Sequence, residues 1–203
     1  MEKHLYKPHP WHGVSPGNNC PETVTAYIEI VPGDSVKYEI DKVSGYLKVD
    51  RPQKFSNAIP FLYGFIPQTY CGTEIAKFAS FKSGKEVMKG DGDPLDICVL
   101  TEKIINNGDI LLEAVPIGGL RMIDKGEADD KIIAVLKQDE IFGNYKDLKD
   151  CPETLINRIK HYFLTYKNMP GTNQPVEIAS VYGADEAKEV ILKSISDYNT
   201  KFN

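Results

Sequence analysis

Three aspartates fall within six residues of this chain, in the stretch Lys89-Gly-Asp-Gly-Asp-Pro-Leu-Asp-Ile-Cys-Val-Leu100. Like charges this close raise one another's pKa and oppose folding unless a cation sits among them. Gly92 and Pro94 fix the backbone path between the acids. Asp96 lies inside Leu-Asp-Ile-Cys-Val-Leu, a run apolar enough to be buried on both faces. An ionised carboxylate there is costly unless it is paired or bound to metal. An exposed acidic turn accounts for Asp91 and Asp93 but not for Asp96. The fold must therefore deliver this strand to a place where positive charge compensates it.

Hard oxygen donors without histidine or thiolate favour magnesium or manganese over zinc. A calcium-binding helix–loop–helix loop would run from Asp91 to Glu102. Leu95 and Asp96 then stand where a ligand and the glycine belong, and a strand follows instead of a helix. A second acidic group, Asp124, Glu127, Asp129 and Asp130, lies directly before the apolar run 131–136. Alone it reads as a solvated acidic loop; beside the first group at a strand edge, it offers the further carboxylates that a site for several cations needs, and such a site calls for an anion rich in oxygens. Other motifs fail. Gly13-Val-Ser-Pro-Gly17 has no strand before its serine and no helix after it. Ser83-Gly84-Lys85 lacks the earlier glycine and the following hydroxyl residue of a phosphate-binding loop. His4, His9 and His12 lie in a proline-rich arm, a poor frame for fixed metal geometry.

From Val24 the sequence takes on a period of two. Residues 25–31, 35–40, 45–49, 95–101, 109–117 and 131–136 read as strands. Residues 52–67 read as irregular, and 71–90 as an insertion or surface hairpin. Helical spacing appears late: Leu155, Ile159, Tyr162 and Tyr166 behind Pro152, placed in the first helical turn, then Ala187, Val190, Ile191, Ser194 and Ile195. Short strands followed by two helices predict a small β-barrel or sandwich with helices packed at one side, an α+β chain that is mainly β. Its 203 residues suit a single domain, 1–203, with an arm over about 1–21 and an insertion over about 71–89.

The net charge of −5 repels nucleic acid and anionic lipid. The N-terminus offers no apolar stretch for a signal peptide, and no segment approaches membrane-spanning length. Four scattered cysteines without such a signal read as free thiols in the cytoplasm. In residues 37–40, Lys37 and Glu39 share one parity, opposite Tyr38 and Ile40. Arg51 falls on the parity of Leu47 and Val49, which points it inward toward an anion.

Asp91-Gly-Asp-Pro-Leu-Asp96 resembles the D-x-D-P-x-D signature of soluble family I inorganic pyrophosphatases. Further blocks follow that family in order: Ile28-Glu29-Ile30, Lys37-Tyr-Glu-Ile-Asp-Lys42, Val49-Asp50-Arg51, Tyr63-Gly-Phe-Ile-Pro67, Asp124, Asp129-Asp130-Lys131 and His161-Tyr-Phe-Leu-Thr-Tyr-Lys167. The resemblance implies a five-stranded, oligonucleotide-binding-like barrel flanked by two C-terminal helices. It implies hydrolysis of inorganic pyrophosphate to two phosphates, by a metal-activated water at a site holding several magnesium ions. It further implies that Asp91, Asp96, Asp124 and Asp129 ligate the metal with Glu29 and Glu39 beside them, and that Asp93 orients or deprotonates the water. Lys37, Arg51, Tyr63, Lys131, Tyr166 and Lys167 then hold phosphate oxygens, manganese substitutes for magnesium, and the chain forms a homo-oligomer. Four departures stand out: Ile59 where bacterial members commonly carry tyrosine, Lys125 where some carry glutamate, a longer path from Tyr63 to Asp91, and the extra N-terminal arm.

Two other classes share the acidic clusters. One is a metal-dependent hydrolase of nucleotides or polyphosphate. The other is a non-catalytic cation-binding module, which has no use for Lys37, Arg51 and Lys131.

Overall fold

The period-two pattern from Val24 produces strand β1 (Val24–Ile30), buried along nearly its whole length, in a computed structural model that describes residues 7–167 and 176–203. Strands β2 (Val36–Ile40) and β3 (Leu47–Pro52) form a separate antiparallel ribbon. Next come β4 (Leu62–Phe65), helix α1 (Thr73–Ser83), the short β5 (Lys89–Gly90), and β6 (Asp96–Leu100). The long β7 (Ile110–Asp124), β8 (Glu127–Ala128) and β9 (Lys131–Leu136) follow. Helix α2 (Glu153–Thr165), β10 (Val176–Gly183) and helix α3 (Ala184–Phe202) complete the order.

The main sheet closes on itself. Its strands pair in the order β1-β4-β6-β9-β7, and β7 pairs back onto β1 with Val24 opposite Ala114. This is the expected five-stranded barrel. Strands β6 and β9 run parallel and their ring neighbours antiparallel. Strand β7 is long enough to serve several partners: its first part pairs with β1, its middle with β9 and its far end with β10.

Strand alternation sorts the apolar residues into two layers. Ala26, Leu62, Ile97, Ala114 and Ile132, one from each barrel strand, meet in one buried cluster with Ile75 of α1 and Val190 and Ile191 of α3. The opposite parity, including Cys98, Leu100, Ile133 and Val135, packs against Ile159, Tyr162 and Phe163 of α2. A third cluster buries Trp11 with Tyr198 and donates the indole N–H to the Thr69 carbonyl at 2.7 Å. All four cysteines are free.

Several expectations need correction. Residues 52–67 contain β4, whose pairing with β1 and β6 is non-local. The span 71–90 carries α1 rather than a hairpin. Strand β7 runs on to Asp124, and β10 adds a strand against it. Pro152 stands just before the first turn of α2, at its cap.

Candidate active site

Parallel pairing of β6 and β9 puts Asp96 directly beside Lys131 in register, so the loops entering both strands open at the same end of the barrel. One loop carries Asp91 and Asp93, and the other Asp129. In the first loop Gly92 adopts φ +80°, a left-handed turn that few side chains tolerate, and Asp91 Oδ1 accepts the Asp93 N–H at 3.0 Å. Asp124, at the end of β7, and Tyr166 and Lys167, just past α2, close the wall.

Two adjoining cavities of about 270 and 80 Å³ result, sharing Lys37, Tyr63, Asp93 and Asp96 as their common wall. The larger takes in Asp91, Asp124, Asp129, Lys131, Tyr166 and Lys167. The smaller takes in Glu29 and Glu39. Every residue assigned a role from the resemblance therefore lines one of the two, except Arg51. Its guanidinium lies on the exposed β3 and pairs with Asp50 at 2.5 Å. The parity argument failed there for a physical reason. The ribbon register shifts between Lys37 and Tyr38, with Lys37 opposite Arg51 but Tyr38 opposite Val49, so Arg51 leaves the face of Val49 for that of Lys37, while its guanidinium is held outside the cavities by Asp50. Val49 itself is 56% exposed.

The electrostatics are those of tightly packed opposite charges. The Lys131 ammonium, itself buried, is shared between Asp96 and Asp129, and the Tyr63 hydroxyl donates to the same Asp96 oxygen at 2.5 Å. Lys167 pairs with Asp124 at 2.9 Å. Lys37 pairs with Glu39 at 2.8 Å and with Asp50 at 3.1 Å. Lys42, quoted above only as part of a matched block, pairs with Asp93; its 51-residue separation from that aspartate left no local signal. Burial, then the neighbouring Asp129, pushes the Asp91 carboxyl up to about 9. Burial raises Asp129 as well, against the pull of Lys131. Glu29 rises to about 8, chiefly through burial, although it accepts the Ile40 N–H at 2.7 Å.

Not all of the second acidic group faces the cavities. Asp130, in the loop before β9, turns away from them to meet Arg121 at 3.1 Å and accept from the Tyr182 hydroxyl at 3.0 Å. Ile59 is core, packed in the α2 cluster with Phe61 and Phe163. His4 lies outside the described residues. His12 stacks on Trp11 with the His9 ring tilted beside it, and His12 is 2.7 Å from the Tyr198 hydroxyl, in a separate aromatic cluster.

Among the described residues, no three carboxylate, histidine or cysteine side chains converge into a ready cage, because ammonium groups stand between the acids. The donor set nevertheless fits a hard divalent cation. Asp124 keeps one buried carboxylate oxygen without a hydrogen-bond partner among the described residues, and Asp91 is held near neutrality by burial beside another acid. An oxygen-seeking cation relieves both conditions.

Comparison with known proteins is consistent throughout. The family model described as inorganic pyrophosphatase matches residues 26–199. A relative from Chlamydia caviae named inorganic pyrophosphatase is 55% identical over 199 residues, covering 96% of this chain and 92% of its own. Soluble inorganic pyrophosphatase 2 of Chlamydomonas reinhardtii is 37% identical, covering 96% and 90%. The crystal structure of inorganic pyrophosphatase from Thermus thermophilus superposes with a TM-score of 0.78 at 29% identity, covering 95% of this chain and 99% of that one.

Proposed function

The chain belongs to the inorganic pyrophosphatase family and hydrolyses inorganic pyrophosphate, and we propose that it does so in these adjoining cavities with several magnesium ions held by its carboxylates. The observation that carries the proposal is the alternation of half-buried acids and ammonium groups around one opening.

Asp91, Asp96, Asp124 and Asp129 are the proposed ligands, with Glu29 and Glu39 beside them; manganese is a workable substitute. Bound magnesium supplies charge neutralisation and lowers the pKa of water toward neutrality. With a divalent ion held by Asp96, Asp124 and Asp129, the ammonium groups of Lys131 and Lys167, now paired with those acids, would be available to phosphate oxygens. Lys37, Tyr63 and Tyr166 add donors from the same walls, and Arg51 joins them only by leaving Asp50. Such donors act where charge spreads over the phosphoryl oxygens as the phosphoanhydride bond breaks. Asp93 is the proposed group that orients the attacking water and takes its proton; its support is a side chain 45% exposed at the junction of the two cavities.

The test is phosphate release from pyrophosphate with magnesium, with magnesium chelated, and with ATP or polyphosphate as competitor. Fast release from pyrophosphate alone, abolished by chelation, is expected. Equal turnover of ATP would favour the nucleotide hydrolase, and no release under any condition the cation-binding module.

We further propose a cytoplasmic homo-oligomer. Its support is the free state of all four cysteines and the exposure of Val43 and Tyr46 on the β2–β3 connection. No helix among the described residues is long and apolar enough to cross a membrane. A monomeric mass by light scattering would overturn the oligomer.

A further inference from the structure

The loop that carries Asp91 and Asp93 is tied to a segment far from it in sequence. The Cys71 N–H donates to the Asp93 carbonyl at 2.8 Å, and the Cys71 carbonyl accepts the Gly92 N–H at 3.1 Å. A single peptide residue thus grips both sides of the turn between the two aspartates. Gly90 permits the approach: a Cβ there would lie 2.1 Å from the Cys71 carbonyl oxygen. Thr69 adds a third tie, its hydroxyl accepting the Leu95 N–H at 2.9 Å.

Cys71 is itself held from α3. The next residue, Gly72, is the N-cap of α1 and has no side chain with which to satisfy the first N–H groups of that helix. Asp197 supplies the acceptors from across the interface. One carboxylate oxygen accepts from the Gly72 and Ile75 N–H groups at 3.0 and 3.1 Å, and the other from the Glu74 N–H at 2.9 Å. The Tyr70 N–H meanwhile donates to the Ser194 carbonyl at 2.9 Å. Residues 70 and 72 are therefore pinned by one face of α3, and residue 71, between them, holds the aspartate turn. Asp197 is 6% exposed and lines neither active-site cavity.

We propose that Asp197 is a positioning residue for pyrophosphate hydrolysis, setting through Cys71 the placement of the Asp91–Asp93 turn. This rests on the assignment of Asp93 to the attacking water. Small misplacement of a reacting group is expensive in rate, on the order of 10²-fold for 1 Å. The hydrogen bonds of this latch do not involve the substrate donors on β2, on β9 and just past α2, so the loss falls on kcat more than on KM.

The experiment compares Asp197→Ala, Asp197→Asn and Phe78→Leu, the last loosening the packing of α1 without touching residues 70–72. Steady-state kinetics with saturating magnesium, thermal midpoints and amide exchange are measured on each full-length protein. Asp197→Ala is expected to lower kcat by about 10- to 100-fold with little change in KM, and to speed exchange at the Gly92 and Cys71 amides. Asp197→Asn keeps one acceptor oxygen and recovers part of both effects; it also carries the test if the alanine variant fails to fold. Phe78→Leu, at a comparable loss of thermal midpoint, keeps wild-type kcat. The proposal is overturned if either Asp197 variant retains wild-type kcat and exchange, or if Phe78→Leu lowers kcat as much. Faster exchange at Gly92 with unchanged kcat would uphold the latch and count instead against the role of Asp93.

Discussion

Asp96 and Lys131 stand opposite each other at the start of a parallel strand pair, and their side chains meet inside the larger cavity. Since the same ammonium also serves Asp129, one buried lysine compensates two half-buried acids. Removing one partner of a buried ion pair typically costs roughly 3–5 kcal/mol, because the remaining charge is stranded. Lys131→Met is therefore expected to lower the thermal midpoint of metal-free protein sharply. Magnesium should restore more stability to this variant than it adds to wild type. Thermal unfolding with and without magnesium checks this, and an equal gain in both proteins would count against cation binding at Asp96 and Asp129.

Asp93 has a different task from its neighbours. Asp93→Asn should fold, bind magnesium and lose most turnover, by about 10²–10⁴-fold if proton transfer is its contribution. Calorimetric magnesium titration alongside steady-state rates separates the two properties. Near-normal turnover, or abolished magnesium affinity, contradicts the role.

Asp96→Ala removes a proposed ligand. The expected result is a higher magnesium requirement, with activity partly recovered at excess metal. The half-saturating magnesium concentration of the reaction is the measurement; an unchanged value excludes Asp96 as a ligand.

The raised carboxyl of Glu29 makes a statement about stability. Its folded pKa, about 8, lies above the ordinary value of 4.5, so the folded protein holds a proton that the unfolded chain has released. The stabilisation from that proton is fully present below about pH 4.5 and fades as pH rises through 8. Metal-free protein should accordingly lose stability over that interval, by an amount that Glu29→Gln diminishes. Denaturant midpoints at pH 5, 7 and 9 provide the check. A Glu29→Gln slope matching wild type would mean the carboxylate is already ionised when folded.

What could be read from the sequence was mostly what local chemistry dictates. Asp96 inside an apolar run required compensation wherever the strand went, and the structure supplies it in Lys131 and Tyr63. The stripes of α2 and α3 were legible because helical spacing is a local property. Strand β4 was not, since the Tyr63-Gly64-Phe65 stretch becomes a strand only by pairing with β1 and β6. Helix α1 is weakly amphipathic and takes its cap from Asp197, more than a hundred residues away. The face that carries Arg51 is set by a register shift, which no reading of side-chain parity detects.

Ring closure through β1 and β7 bears on how the enzyme is made. Val24 meets Ala114 across that seam, and the paired segments are separated by β2, β3, β4, α1, β5 and β6. Contacts so distant along the chain bear a loop-closure entropy before they return any stabilisation, which slows folding. The cavity walls draw on residues from Glu29 to Lys167, so they gather only once the seam has formed and α2 has docked. A ribosome-bound chain ending before Ala114 cannot complete the barrel, whatever acids it already displays. Activity during refolding is therefore a late signal, trailing any early gain of helix.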